Sequence, residues 1–421
     1  MFNKNIYKYI FFCALLVSAH LFVYAQAKPL YFKDAITANR DIFYKKVLST
    51  INYTFTLPFT AENDEKWQSA FYSIGLIQLK TANVVLKIDV ASKILLTQSN
   101  DFKMAFLNLV NSNYPNKYTA QIRKIFDSSS NYKLMAMAAN YLLPTATINT
   151  KNQLLYNVQK KFVEEPFDAI LHELNNQIQY SITPIKYPNF KTFFAKDYLQ
   201  GETIVFSFQR KNRNFTGLAM IRKPDGNFVK NEDSSFFSVG QLARSSSNMP
   251  GYIANGNTPQ GIFKMTGFDT STNYFIGATT NIQLAMPHEY NAVLKDEKVV
   301  DTTWSIEQYT NLLPDNFKKY EPIFGTFYAG KAGRTEIIAH GTTVDVNYYK
   351  TNSFYPYTPT AGCLCTKELW NNKTGMLDVS DQKKLALTLQ NAGGAKGYLI
   401  VIEIDNKNSA VTLADLQPFL K

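Results

Sequence analysis

Cysteine and histidine are scarce in this chain, and long apolar runs are nearly absent. Three cysteines and four histidines occur in 421 residues. The one extended apolar stretch, Ile10 to Val23, is interrupted by Ser18 and His20. It falls short of the roughly 20 residues that a membrane-spanning helix needs. Clusters of Lys and Arg interleaved with aromatics, the mark of a nucleic-acid groove, are missing as well. These absences argue against a polytopic membrane protein, a nucleic-acid binder and a disulfide-stapled scaffold.

What the N-terminus has is the pattern of a secretory signal over residues 1–27. Lys4 and Lys8 precede the apolar run, and Val23-Tyr24-Ala25-Gln26-Ala27 offers small residues for cleavage. A retained anchor is the alternative. Cys13 follows Phe11 and Phe12, a poor lipoprotein context, and would leave with the signal. The expected location is therefore exported, periplasmic or associated with the cell envelope. The formal charge of +11 would draw such a protein to anionic wall polymers or headgroups. Lysines spread over a solvated surface explain the charge equally.

The remaining length is too great for one typical core, so two or three domains are expected, with a change of character near residue 200. Residues 28–200 read as an all-α domain. Residues 63–80, 101–110, 117–126, 132–143 and 166–178 carry apolar residues at helical spacing, with Asp101 a candidate cap. A helical-repeat array and an irregular helical domain both fit, since no strict period is visible. Residues 201–421 read as mainly β. Segments 203–209, 216–222 and 396–404 are β-type runs, and Pro224-Asp225-Gly226 is a turn. Short strands are expected to continue to about His340. Helices are expected after Cys365 and over 380–391, where Asp381 sits in the first turn and Gly393 follows the end.

Three segments of the second half carry chemistry. They are Thr258-Pro259-Gln260-Gly261-Ile262-Phe263, then Ile337-Ile338-Ala339-His340-Gly341-Thr342, then Thr360-Ala361-Gly362-Cys363-Leu364-Cys365. In this order they resemble the L,D-transpeptidase catalytic domain, the YkuD-like family. Gly333-Arg334-Thr335-Glu336-Ile337 is similar to that family's approach to its histidine strand. The resemblance covers roughly 238–404, and implies an α + β chain in which an unrelated helical region precedes a mainly-β catalytic domain. It also implies a cysteine-dependent acyltransferase that needs neither metal nor organic cofactor.

The residues make chemical sense on their own. A free thiol is mostly protonated at neutral pH, and acyl transfer needs the thiolate, so an imidazole must take the proton. Cys363 is the candidate nucleophile and His340 the candidate base. His20 leaves with the signal and His172 falls in the helical region. His288 is in the right half without a comparable motif, and is a candidate substrate contact. Gly341 permits a close backbone approach or is a simple turn glycine. Gly362, Cys363 and Leu364 supply N–H groups for an oxyanion. Thr360 is placed to hold the loop through its hydroxyl.

Two positions depart from the family pattern. Ala361 stands where a His is usual, and Cys365 where Arg or Asn is usual. Arg244 and Arg334 are candidates to supply the missing charge. The 19-residue loop from Gly341 to Pro359 carries Tyr348, Tyr349, Tyr355 and Tyr357, as a substrate lid or as buried anchors. Tyr357 is a candidate substrate contact. Cys365 is a small core residue, a labile disulfide partner of Cys363, or part of a zinc site with His340 and His288.

The resemblance thus implies a peptidoglycan L,D-transpeptidase acting on stem peptides through a Cys363 thioester. Hydrolysis of wall peptides and non-catalytic wall binding are the alternatives. The helical region would then hold the enzyme on the wall or on a protein partner.

Overall fold

The computed structural model describes residues 29–289 and 304–420. The candidate signal, residues 1–27, lies outside them. No helix among the described residues is long and apolar enough to cross a membrane.

The N-terminal region is helical. Its helices are α1 (Thr37–Thr54), α2 (Asp64–Leu76), α3 (Ala82–Ile94), α4 (Asn100–Asn113), α5 (Thr119–Ser128), α6 (Tyr132–Leu142), α7 (Ile148–Glu164) and α8 (Ala169–Ile182). Short polar side chains start most of them. Thr81, Asn131, Thr147 and Asp168 each accept the N–H three residues on, satisfying a donor that the first turn leaves unpaired. At α4 the cap is Ser99, whose Oγ accepts the Phe102 N–H at 3.0 Å, so Asp101 lies inside the helix. Helix α2 packs on α4, α5 on α6 and α7 on α8. Because α2 reaches past α3 to its partner, the array is irregular rather than a stack of identical hairpins.

The second region is rich in sheet. Its strands are β1 (Ile204–Arg210), β2 (Gly217–Arg222), β3 (Val239–Leu242), β4 (Gly261–Asp269), β5 (Asn281–Ala285), β6 (Ile338–His340), β7 (Leu364–Thr366), β8 (Glu368–Trp370), β9 (Leu377–Ser380) and β10 (Tyr398–Asp405). All but β8 and β9 close a barrel in the order β1-β10-β4-β5-β6-β7-β3-β2. The pairs β1–β10 and β6–β7 are parallel, and the others are antiparallel. Strand β1 is buried on both faces. Val205 packs with Leu385 and Leu389, while Phe206 and Phe208 join an aromatic layer with Phe193, Tyr309 and Phe317.

Two expectations for this half are corrected. The segment after Cys365 is not a helix but β8, paired with β9 from Glu368↔Ser380 to Trp370↔Leu377. Cross-strand pairing and burial of Glu368 override a local composition that suits a helix. The short strands expected to continue to about His340 stop at β5, and the described residues between β5 and β6 form no strand. Helices α9 (Ile306–Asn311) and α10 (Gly325–Lys331) occupy that stretch, and α10 packs on α8. Helix α11 (Asp381–Asn391) forms as expected, with Ser380 Oγ accepting the Lys383 N–H at 2.8 Å.

The two regions share a core. Met249, Tyr252 and Ile253, on the loop between β3 and β4, are buried among the helical side chains. Arg244 reaches Ser112 Oγ of α4 at 2.8 Å, and Asn111 donates to the carbonyls of Ser247 and Asn248. Truncating Ile253, 1% exposed, to Ala is expected to cost about 2–5 kcal/mol. Urea unfolding followed by helical circular dichroism and by a tryptophan of the second region, Trp304 or Trp370, would then shift at both probes together. A shift of one probe only would show that the regions unfold independently.

Candidate active site

The loop that carries Cys363 is held from both ends. The Gly362 N–H donates to Thr360 Oγ1 at 2.9 Å, and Thr360 Oγ1 donates to the Cys363 carbonyl at 2.9 Å. The Gly362 carbonyl accepts from Thr258 Oγ1 at 2.9 Å and from Arg334 Nη2 at 3.3 Å. Gly362 has φ +125°, and a Cβ there would lie 2.1 Å from the Arg334 guanidinium. Only glycine fits that space and that backbone. The Cys363 N–H, at the start of β7, has no acceptor among the described residues. It is the free donor beside the thiol, whereas the Gly362 N–H is already used by Thr360. That removes Gly362 from the candidate oxyanion donors.

The Cys363 thiol is partly buried and donates to the Glu336 carbonyl at 3.7 Å. Glu336 adopts φ +62°, unusual for a residue with a Cβ. Its N–H is fixed by Glu289 Oε1 at 2.6 Å. Burial pushes the thiol above the ordinary cysteine range, opposed by the Ile338 N–H and the Arg334 charge.

His340 ends β6, and β6 lies beside β7 in parallel register with His340 opposite Cys365. The imidazole is buried. Its Nδ1 is bonded to the Gly341 carbonyl, which accepts and so places the ring proton on Nδ1. Nε2 is left as the basic nitrogen. Burial pushes the pKa down to about 4, against the opposing effect of the Gly341 carbonyl. At neutral pH the pair is therefore a neutral ring and a neutral thiol. No hydrogen bond joins Sγ to the ring among the described residues.

Cys363 and His340 open on one cavity of about 550 Å³. The helical region supplies much of its wall through Gln68, Tyr72 and Leu76 of α2 and Asn108 of α4. Asn108 Oδ1 is buried and has no partner among the described residues. Compared with family models, curated proteins and solved structures, the chain matches none of them.

Other candidates fall elsewhere. His288 lies in a separate hollow with Trp304, Phe327 and Lys331 and does not line the cavity of the thiol. Its position one strand away in sequence is undone by the left-handed turn at φ +68°, which directs it to Phe327. Tyr357 packs against β3, close enough that any side chain at Gly240 would meet its hydroxyl. It is an anchor, as is Tyr349, whose hydroxyl donates to the Leu76 carbonyl at 3.1 Å. Arg334 does not face the cavity as a substrate clamp. Its guanidinium is buried and spent on the carbonyls of Gly251, Gly256, Asn257 and Gly362. Arg244 is likewise spent, on Asn214, Ser245 and Ser112.

Cys365 is a buried free thiol against Thr358, so the core reading holds and no disulfide joins it to Cys363. Burial pushes its pKa up to about 12. No cluster of metal ligands occurs among the described residues. Sequence reasoning missed the helical wall and Glu368. The first left no signal, and the second sat in a segment assigned to a helix.

The raised thiol pKa has a direct consequence. Alkylation of Cys363 by iodoacetamide is expected to be slow at pH 7 and to climb steeply above pH 9, with Cys365 unlabelled in the folded protein. Peptide mapping by mass spectrometry reads both sites. A rate that is flat from pH 6 to 9 would show that a thiolate already exists at rest. Gly362→Ala is expected to destabilise the protein and abolish selective labelling, because the Arg334 guanidinium must move.

Proposed function

We propose that this protein is a cell-wall L,D-transpeptidase that transfers an acyl group from a peptidoglycan stem peptide to an acceptor amine. One observation carries the reading: a thiol and an imidazole with a free Nε2 open on the same cavity, next to an unassigned N–H. The order of the three motifs supports the same family, and the N-terminal signal pattern supports an envelope location.

The chemistry follows from those groups. Cys363 leaves the Glu336 carbonyl by rotation of its side chain, and His340 Nε2 takes the thiol proton. Sγ attacks the amide carbonyl, and the oxyanion forms beside the Cys363 N–H. The C–N bond breaks, and the imidazolium protonates the departing amine of the terminal D-residue. The thioester remains on Sγ. An acceptor amine then attacks it, gives its proton to His340 and leaves with the acyl group as a new amide, restoring the thiol. Water in place of the amine gives L,D-carboxypeptidase activity.

The cavity suits a peptide. Its lining among the described residues is apolar or neutral polar, with the amides of Gln68, Asn108 and Asn255 available to peptide N–H and carbonyl groups. The helical region thus contributes to the donor site as well as to any contact with the wall or a protein partner. A second reading, a wall-binding protein without turnover, is favoured by the resting bond from Sγ to Glu336 rather than to His340.

Intact-mass spectrometry of residues 28–421 with a tetrapeptide-stem muropeptide decides between them. An acyl adduct, with released D-residue, is expected for the native chain and for Cys365→Ala, and none for Cys363→Ala. Absence of both adduct and product from reduced, folded protein would leave the binding reading. Asn108→Ala is expected to raise KM roughly two- to tenfold with kcat little changed, the value of one ordinary hydrogen bond.

A further inference from the structure

We propose that Glu368 is the acidic third member of this site, acting on His340 through a single peptide group. The inference rests on His340 being the base, as proposed above. The peptide between Gly341 and Thr342 is gripped at both ends. Its N–H donates to Glu368 Oε2 at 2.8 Å, and its carbonyl accepts from His340 Nδ1. In a trans peptide these two groups point in opposite directions. Carboxyl, peptide and imidazole therefore form one continuous line of hydrogen bonds, in which each bond polarises the next.

The surroundings are built for this contact. Glu368 is 1% exposed, on β8. Its other oxygen accepts from Ser380 Oγ at 2.5 Å. A Cβ on Gly341 would lie 2.0 Å from the carboxyl carbon, so the glycine of the His-Gly pair is what lets the carboxyl reach the peptide. The Thr342 carbonyl is held in turn by Trp370 Nε1 at 2.7 Å, which keeps the segment from rotating. The neighbouring titratable groups are the buried thiol of Cys365, the His340 ring, Asp381 and, in the hollow on the side of α1, Asp41, Asp378 and the Arg40–Asp345 pair at 3.3 Å. Asp381 is paired with Lys384 at 3.1 Å and Lys367 at 3.8 Å and still acts on Glu368 through its charge. No cation pairs directly with Glu368 among the described residues.

The carboxyl has two states with different effects on the ring. Ionised, it draws the Thr342 proton and makes the Gly341 oxygen a stronger acceptor, which favours the imidazolium that forms when Nε2 takes the thiol proton. Protonated, it gives little such help. Burial raises its pKa to about 7, opposed by the Ser380 and Thr342 hydrogen bonds and reinforced by Asp381. The group thus changes state where the enzyme would work. In acylation no atom is transferred to or from Glu368; it is a positioning residue that sets the tautomer and basicity of His340.

The test follows the His340 ring rather than turnover alone. In protein labelled with nitrogen-15 histidine, the Nδ1–H proton resonance of His340 is expected to shift with pH, with a midpoint near 7. Glu368→Gln, which keeps an acceptor for the Thr342 N–H, is expected to abolish that shift. Ser380→Ala removes a bond that favours the ionised carboxyl, and is expected to move the midpoint upward. It decides the matter should the glutamine variant fail to fold. A resonance that is flat in the native protein, or a titration unchanged in Glu368→Gln, would overturn the relay. With the donor stem peptide at pH 8, Glu368→Gln is expected to lower kcat about tenfold at unchanged KM, far less than loss of a carboxylate bonded directly to a catalytic histidine. If the protein acylates no peptide, the resonance measurement still decides the relay, so the two proposals fail separately.

Discussion

The guanidinium of Arg334 is the point on which the active-site region depends. It is 5% exposed and donates to four backbone carbonyls drawn from two loops. Three belong to the β3–β4 loop, whose apolar residues are plugged into the helical core, and the fourth is that of Gly362 beside Cys363. One side chain therefore ties the helical region, the barrel and the thiol loop together. Hydrogen bonds from a charged donor are worth about 1.5–3 kcal/mol each, and the carbonyls would be costly to leave unpaired. Burial lowers the pKa of this group to about 10, still well above neutrality, so the clamp stays charged.

That clamp has a chemical cost. With Arg334 spent on carbonyls, the cavity around Cys363 keeps no strong cation of its own among the described residues. The thiol is raised and the imidazole lowered by the same burial, so the resting pair is neutral. Such a pair is chemically quiet in solvent and becomes reactive when a bound substrate lets proton transfer accompany attack. A neutral, amide-lined cavity is consistent with that order of events. It also gives the helical region a second role, because α2 and α4 form the wall against which a peptide would lie.

Much of the fold was legible. The change from helices to sheet near residue 200 and helix 381–391 follow from apolar spacing and turn residues, and strands β1, β2 and β10 follow from short apolar runs bounded by turns, because both of their faces are buried. Strands β7 and β8 were not legible. Each is three residues long, and each exists because a neighbour pairs with it. The wrong helix at 366–372 hid Glu368, since a helix would have exposed a residue that the β8–β9 pairing buries.

The sequence by itself determined the chemistry available. Two cysteines beyond the signal pattern and one His-Gly pair leave little choice of candidate nucleophile and base, because few side chains can perform those steps. Only the tertiary structure decided how each is used. It spent Arg334 and Arg244 on carbonyls and hydroxyls, sent His288 to another hollow, packed Tyr357 and Cys365 into the core, and brought Glu368 to the Gly341–Thr342 peptide. The physical reason is that a polar group's role is set by its partners and its burial. In this chain those partners lie from a few residues to more than a hundred residues away.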